Sequence, residues 1–78
     1  MALTRPVVIG RDSTCDIVLV GARISRRHCV VRLGAGGPEV EDIGSSNGTR
    51  VNGEETHSRI LHEGDVIEIG GVAFACIC

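Results

Sequence analysis

Ser46-Asn47-Gly48-Thr49-Arg50-Val51-Asn52-Gly53-Glu54 (residues 46–54) holds a three-residue run, Thr49-Arg50-Val51, between two Asn-Gly pairs. Three residues are too few for a helix. Asn-Gly is a pair for which positive φ costs little, so the run reads as a short strand closed by a two-residue hairpin turn at Asn52-Gly53. Ile69-Gly70-Gly71-Val72 repeats that grammar further along the sequence. Working outward, strand-like runs fall at residues 6–9, 16–19, 28–33, 39–42, 49–51, 59–61, 65–69 and 72–77, and Gly34-Ala35-Gly36-Gly37-Pro38 reads as a looser hairpin loop. None of the runs is long enough for a secure helix. Short strands with frequent turn signals and no helical period predict an all-β fold, either a sandwich or a barrel.

The 78 residues, 42% of them hydrophobic, fit one domain over residues 1–78 with no internal repeat and no linker. A chain this short buries only about 60% of its unfolded surface, which predicts modest stability. There is no Trp or Tyr and a single Phe, Phe74, so the core must come from Val, Ile, Leu, Ala and Cys, which favours strands. The net charge of −2 is unevenly spread: residues 1–33 carry +4 and residues 34–78 carry −6. Every basic residue is arginine, whose planar fork suits phosphate or carboxylate oxygens better than an ammonium does. An acidic protein with one aromatic residue offers no stacking platform, which sets nucleic acid aside.

Four pieces between the strand-like runs can carry chemistry: Gly10-Arg11, Ser25-Arg26-Arg27-His28, Ser46-Asn47-Gly48-Thr49 and Asn52-Gly53. Each sets a turn-former beside a side chain able to hold an oxyanion or a peptide backbone, and together they describe a loop-built phosphate site. Singly, each has a plainer reading: a solvated arginine, a serine capping its own loop, an ordinary Asn-Gly turn. Ser25 and His28 do not make a hydrolase, because no Gly-x-Ser-x-Gly elbow or oxyanion hole surrounds the serine. A zinc site is also set aside. Cys15, Cys29, Cys76 and Cys78 with His28, His57 and His62 lack the paired knuckles that structural zinc needs, the close pair being Cys76-x-Cys78. No residue pattern calls for a cofactor.

The order Gly-Arg, then Ser-x-x-His, then Asn-Gly resembles a forkhead-associated (FHA) domain over roughly residues 7–74. The resemblance implies a two-sheet β-sandwich of short, mostly antiparallel strands with its binding loops at one end. It implies that Arg11, Ser25 and Arg26 meet the phosphate of a phosphothreonine and that Asn47 grips the ligand main chain. Ser46 would add a hydroxyl near the phosphothreonine. Gly10, His28 and Gly48 would hold the loops in shape without touching phosphate. Arg23, two residues before Ser25, is a candidate for meeting an acidic ligand residue on the C-terminal side of the phosphothreonine. One departure is that the family usually has another strand before Gly-Arg, whereas nine residues precede Gly10 here. The sequence also stops inside an expected strand, so it reads as a trimmed domain or a fragment.

The expectation is therefore a non-enzymatic module that binds phosphothreonine in a partner protein. The alternative is an FHA-like assembly module that meets its partner, or a second copy of itself, through a sheet face or open strand edge without phosphorylation. Nothing near Met1 resembles a signal peptide and no run approaches the ~18 apolar residues of a membrane helix. An intracellular setting is expected, in the cytoplasm or the nucleus, with no membrane partner and with reduced thiols.

Overall fold

The computed structural model describes residues 5–75. It contains β1 (Val7–Gly10), β2 (Ile17–Val18), β3 (Cys29–Gly34), β4 (Gly37–Asp42), β5 (Thr49–Val51), β6 (Glu54–Thr56), β7 (Ser58–Ile60), β8 (Val66–Ile69) and β9 (Val72–Ala75). They form two sheets, one ordered β2-β1-β3-β4-β7 and the other β6-β5-β8-β9. All pairings are antiparallel except β1 with β2. This is the expected all-β, two-sheet sandwich.

Register sets which side chains meet between the sheets. Cross-strand partners share a face, so Ile9 opposite Cys29 and Val31 opposite Val40 point the same way in the first sheet. In the second sheet Thr49 faces Ile69 and Val51 faces Ile67. Ile9, Cys29, Val40, Val51, Ile67 and Ile69 form the core with Leu61 and with Ile24, which comes from the long connection between β2 and β3. Phe74 packs against that cluster from the side. Cys29 behaves as a small core residue. Burial, with the nearby Asp42 charge adding, pushes its thiol up to about 12, well out of nucleophilic range.

The strand bounds at 49–51 coincide with expectation and most others shift by a residue or two. Two expectations are corrected. The segment 34–38 is a tight turn rather than a loose loop, because β3 and β4 pair as far as Gly34 opposite Gly37, leaving only Ala35 and Gly36 to reverse direction. A strand also forms where none was expected, at Glu54–Thr56. It contains no apolar residue, so no hydrophobic pattern announces it. The Asn52-Gly53 turn, with φ of 54° and 83°, folds it back onto β5. The last residues of the run at 72–77 lie outside the described residues.

Candidate functional site

The site is assembled where three connections meet: the end of β1, the segment between β2 and β3, and the segment between β4 and β5. The first contact is backbone on backbone. A Cβ on Gly10 would lie 2.1 Å from the carbonyl oxygen of Arg26, so no other residue fits at this position. Around that contact the Arg11 amide donates to the Ser25 carbonyl at 3.0 Å and the Asp12 amide to the Arg26 carbonyl at 3.1 Å. The buried Cys15 thiol also donates to the Arg26 carbonyl, at 3.1 Å.

Arg11 is exposed but not loose. Its Nε–H donates to the Ile24 carbonyl at 3.1 Å, which holds the guanidinium by one edge, and among the described residues its terminal amino groups form no ion pair. Ile24 in turn is 1% exposed and seated in the core. The connection that carries Arg23, Ser25 and Arg26 is therefore pinned from below by an apolar side chain and from the side by β1.

His28 ties this connection to the next. It is fully buried. The Ser25 amide donates to its Nδ1 at 3.2 Å, and its Nε2 lies 2.7 Å from the Gly48 carbonyl oxygen. With Nδ1 accepting, the ring carries its proton on Nε2 and donates it to Gly48. Two further bonds join the same connections: the Ser46 amide donates to Ser25 Oγ at 3.1 Å, and Asn47 Nδ2 donates to the Arg23 carbonyl at 3.0 Å. Ser25 keeps its hydroxyl proton for another acceptor, and Asn47 keeps its amide oxygen. Gly48 has φ of 85°, which places its carbonyl toward His28 and its amide on Ser45 Oγ at 2.9 Å.

The organiser of the 44–49 segment is Asp42, a residue that sequence reading treated only as the end of a strand. Its Oδ1 accepts from the Gly44 and Ser45 amides, both at 2.9 Å. Its Oδ2 accepts from the Ser45 hydroxyl and, at 2.9 Å, from the Thr49 hydroxyl. Burial pushes the Asp42 carboxyl up, but bonds from Ser45, Thr49 and Gly44 outweigh it and hold the group below the usual carboxylate range. An Asp followed closely by Gly and Ser in a non-helical stretch is a turn signature that could have found it.

Charge follows the same geometry. Among the described residues, Arg5, Arg32 and Arg59 form ion pairs with Asp16, with Glu39 and Glu41, and with Glu54. Arg11, Arg23, Arg26, Arg27 and Arg50 form none, and all five are exposed. Arg23 and Arg50 line a hollow of about 270 Å³ with Asn47, Glu68 and Gly70. Asp12 is held below its ordinary range mainly by its bonds to Thr14, with Arg26 and Arg27 adding attraction. The candidate residues thus lie on hydrogen-bonded connections that form a cation-rich rim. Asn52 does not belong to it: its side chain bonds Asp65 and the Val66 amide, each at 3.0 Å, and closes the β5–β6 turn.

Comparison with known proteins places this arrangement. The chain is 48% identical over 61 residues to the oxoglutarate dehydrogenase inhibitor of Corynebacterium efficiens, covering 78% of this chain and 43% of that protein. It therefore spans less than half the length of that relative. Among solved structures it matches the FHA-2 domain of the Mycobacterium tuberculosis ABC transporter Rv1747 with a TM-score of 0.84 at 37% identity, covering 96% of this chain and 69% of that one. It also matches M. tuberculosis EmbR, solved in complex with a low-affinity phosphopeptide, with a TM-score of 0.83 at 36% identity over 90% of this chain and 19% of that one. The model of the FHA domain matches residues 7–70, which take in all three site-forming connections, and the chain belongs to the FHA domain family.

Proposed function

We propose that this chain is a non-catalytic reader of phosphothreonine in an intracellular partner protein, built as a single domain around its one shared core. The observation that carries the reading is the tethered guanidinium of Arg11, fixed at Nε by the Ile24 carbonyl. Its tether lies on the same connection as the Ser25 hydroxyl and as Arg26, which forms no ion pair among the described residues, and backbone bonds to Ser25 and Arg26 join that connection to the end of β1. A phosphate dianion takes charge-assisted bonds from such donors at little ordering cost. Asn47, one connection away, has its amide oxygen free to accept from a ligand backbone amide, and Ser46 stands next to it. The EmbR complex, in which a relative of this fold holds a phosphopeptide, supports the reading.

Arg23 extends it. Its side chain shares a hollow with Arg50, so an acidic ligand residue on the C-terminal side of the phosphothreonine would meet two cations there, with Glu68 setting a limit on their joint charge. Exchanging Arg23 for Glu should shift peptide preference away from acids at that position, and an unchanged preference would remove Arg23 from the site.

Calorimetric titration with a degenerate phosphothreonine peptide pool and its unphosphorylated twin tests the reading. Heat from the phosphorylated pool alone supports it. Equal binding of both pools favours the alternative, a phosphate-independent assembly contact, for which β9 is one of the two outer strands of the second sheet among the described residues.

A further inference from the structure

Asn47 and Gly48 line two hollows, and the phosphothreonine reading uses one of them. The first holds Arg23 and Arg50. The second, of about 340 Å³, has Asp42, Ser46, Glu55 and His57 among its other walls. The two differ in charge. Arg23 and Arg50 outnumber Glu68 in the first, whereas no arginine lines the second, whose charged side chains are two carboxylates with the His57 imidazole beside them. A ligand main chain held at Asn47 therefore has a cationic hollow and an anionic one within reach.

Of the two carboxylates, Asp42 is committed to Gly44, Ser45 and Thr49. Glu55 is exposed and forms no ion pair among the described residues. The sheet sets its place. Glu55 on β6 is the cross-strand partner of Arg50 on β5, and Arg50 is in turn opposite Glu68 on β8. Thr49 and Val51 are buried, so these three share the face turned away from the core. The pair that register would allow between Arg50 and Glu55 is not made: Arg50 lines the first hollow with Glu68, and Glu55 lines the second. Glu55 lies instead over Gly48, where a Cβ would be 3.0 Å from its Oε1 and 3.3 Å from its Cδ. The side chain that Gly48 lacks is the room this carboxylate uses, and it brings the charge next to Asn47.

We propose that the second hollow is a further ligand subsite, in which Glu55 takes the guanidinium of an arginine carried by the phosphothreonine ligand itself. A planar fork meets a carboxylate with two parallel bonds, which favours arginine over lysine. Thr56 adds an acceptor on the same wall, because its hydroxyl proton goes to the Ser58 carbonyl at 3.2 Å and leaves the oxygen lone pairs open. The two hollows together give the ligand a charge polarity, an acid toward Arg23 and Arg50 and an arginine toward Glu55. This subsite rests on the function proposed above, since the chain held at Asn47 is what delivers the arginine.

The test uses phosphothreonine peptide pools in which one flanking position at a time is fixed as arginine or as citrulline, its neutral isostere, together with the unphosphorylated twin of each pool. Affinities are read by fluorescence anisotropy. At one flanking position the wild type should prefer arginine about two- to fivefold, the range of an ion pair that keeps contact with water. That ratio should shrink toward unity in ~1 M salt, where the Debye length falls to about 3 Å. Glu55→Gln should abolish the preference and Glu55→Arg should turn it toward citrulline, each variant being shown to be folded by its amide spectrum. Glu54→Gln removes the neighbouring acid of β6, which pairs with Arg59, and should keep the preference, so that a change in net charge alone is not what is read.

The outcomes separate the two claims. Equal affinity for arginine and citrulline at every position overturns the subsite, as does a preference that survives Glu55→Gln; phosphothreonine recognition then stands if only the phosphorylated pools bind. A Glu55-dependent arginine preference shown equally by the unphosphorylated twins supports the subsite and removes the phosphate reading. No binding by any pool overturns both.

Discussion

The α-carbon of Gly10 and the carbonyl oxygen of Arg26 are in contact, so that a methyl group at residue 10 would sit 2.1 Å from that oxygen. The turn that aims Arg11 and the connection that presents Ser25 are therefore one packed unit. Gly10→Ala should force the two apart and cost about 1–3 kcal/mol, the usual penalty for overfilling a packed position. Urea denaturation measures the loss. The Ser25 and Arg26 amides should shift far more than those of β8, which the substitution does not approach.

Asp42 should matter to binding without meeting a ligand. Removing its carboxylate strips partners from Gly44, Ser45 and Thr49 together. Asp42→Ala should lower stability by about 2 kcal/mol, as expected when hydrogen bonds to a charged acceptor are lost. Amide exchange should rise through residues 44–48, whereas a variant with unchanged exchange there would show that the segment holds its own shape.

Asp42 should also shape the acid limb of stability. A carboxyl depressed in the folded state contributes stability that is fully present above its unfolded value, ~3.9, and is lost as pH falls through its folded value. Asp42 is such a group. Its contribution should hold through pH 7 to 5 and fade below about pH 4. Stability curves of wild type and Asp42→Asn should then converge at low pH and diverge toward neutrality. Curves that stayed parallel throughout would mean that the carboxylate charge is not what the loop uses.

Two Asn-Gly pairs should separate cleanly. Asn52 sits at φ 54° and bonds Asp65 and Val66, so Asn52→Ala should cost roughly 1–2 kcal/mol of stability for the left-handed backbone alone and leave phosphopeptide affinity where it was. Asn47→Ala should do the reverse, weakening binding several-fold with little change in the urea midpoint. Matching effects from the two would contradict their assignment to a turn and to a site.

What the sequence made legible follows from how each feature is encoded. The strands carrying Val, Ile and Leu and the paired turns at Asn52-Gly53 and Gly70-Gly71 are local signals, and they could be read directly. Strand β6 could not, because Glu54, Glu55 and Thr56 have no buried face and are strand only through pairing with β5. The candidate site residues could be named from motif order. Their supports were hidden in contacts between distant segments: Ile24 looked like one more apolar residue until its place in the core pinned the Arg23–Arg26 connection, and Asp42 looked like a strand end until four donors converged on it. Arg50 gave no signal either, since only the sandwich brings it beside Arg23.

Arg11 is where the phosphate-reader account is most exposed. Calorimetry of the phosphothreonine pool against wild type and Arg11→Ala in parallel, each shown to be folded, tests it most directly. The alanine variant should lose about 10- to 150-fold in affinity, the equivalent of one charge-assisted bond of about 1.5–3 kcal/mol, and should no longer distinguish the phosphorylated pool strongly from its twin. Full phosphopeptide affinity in the folded Arg11→Ala variant would contradict the claim that this tethered guanidinium is the phosphate anchor.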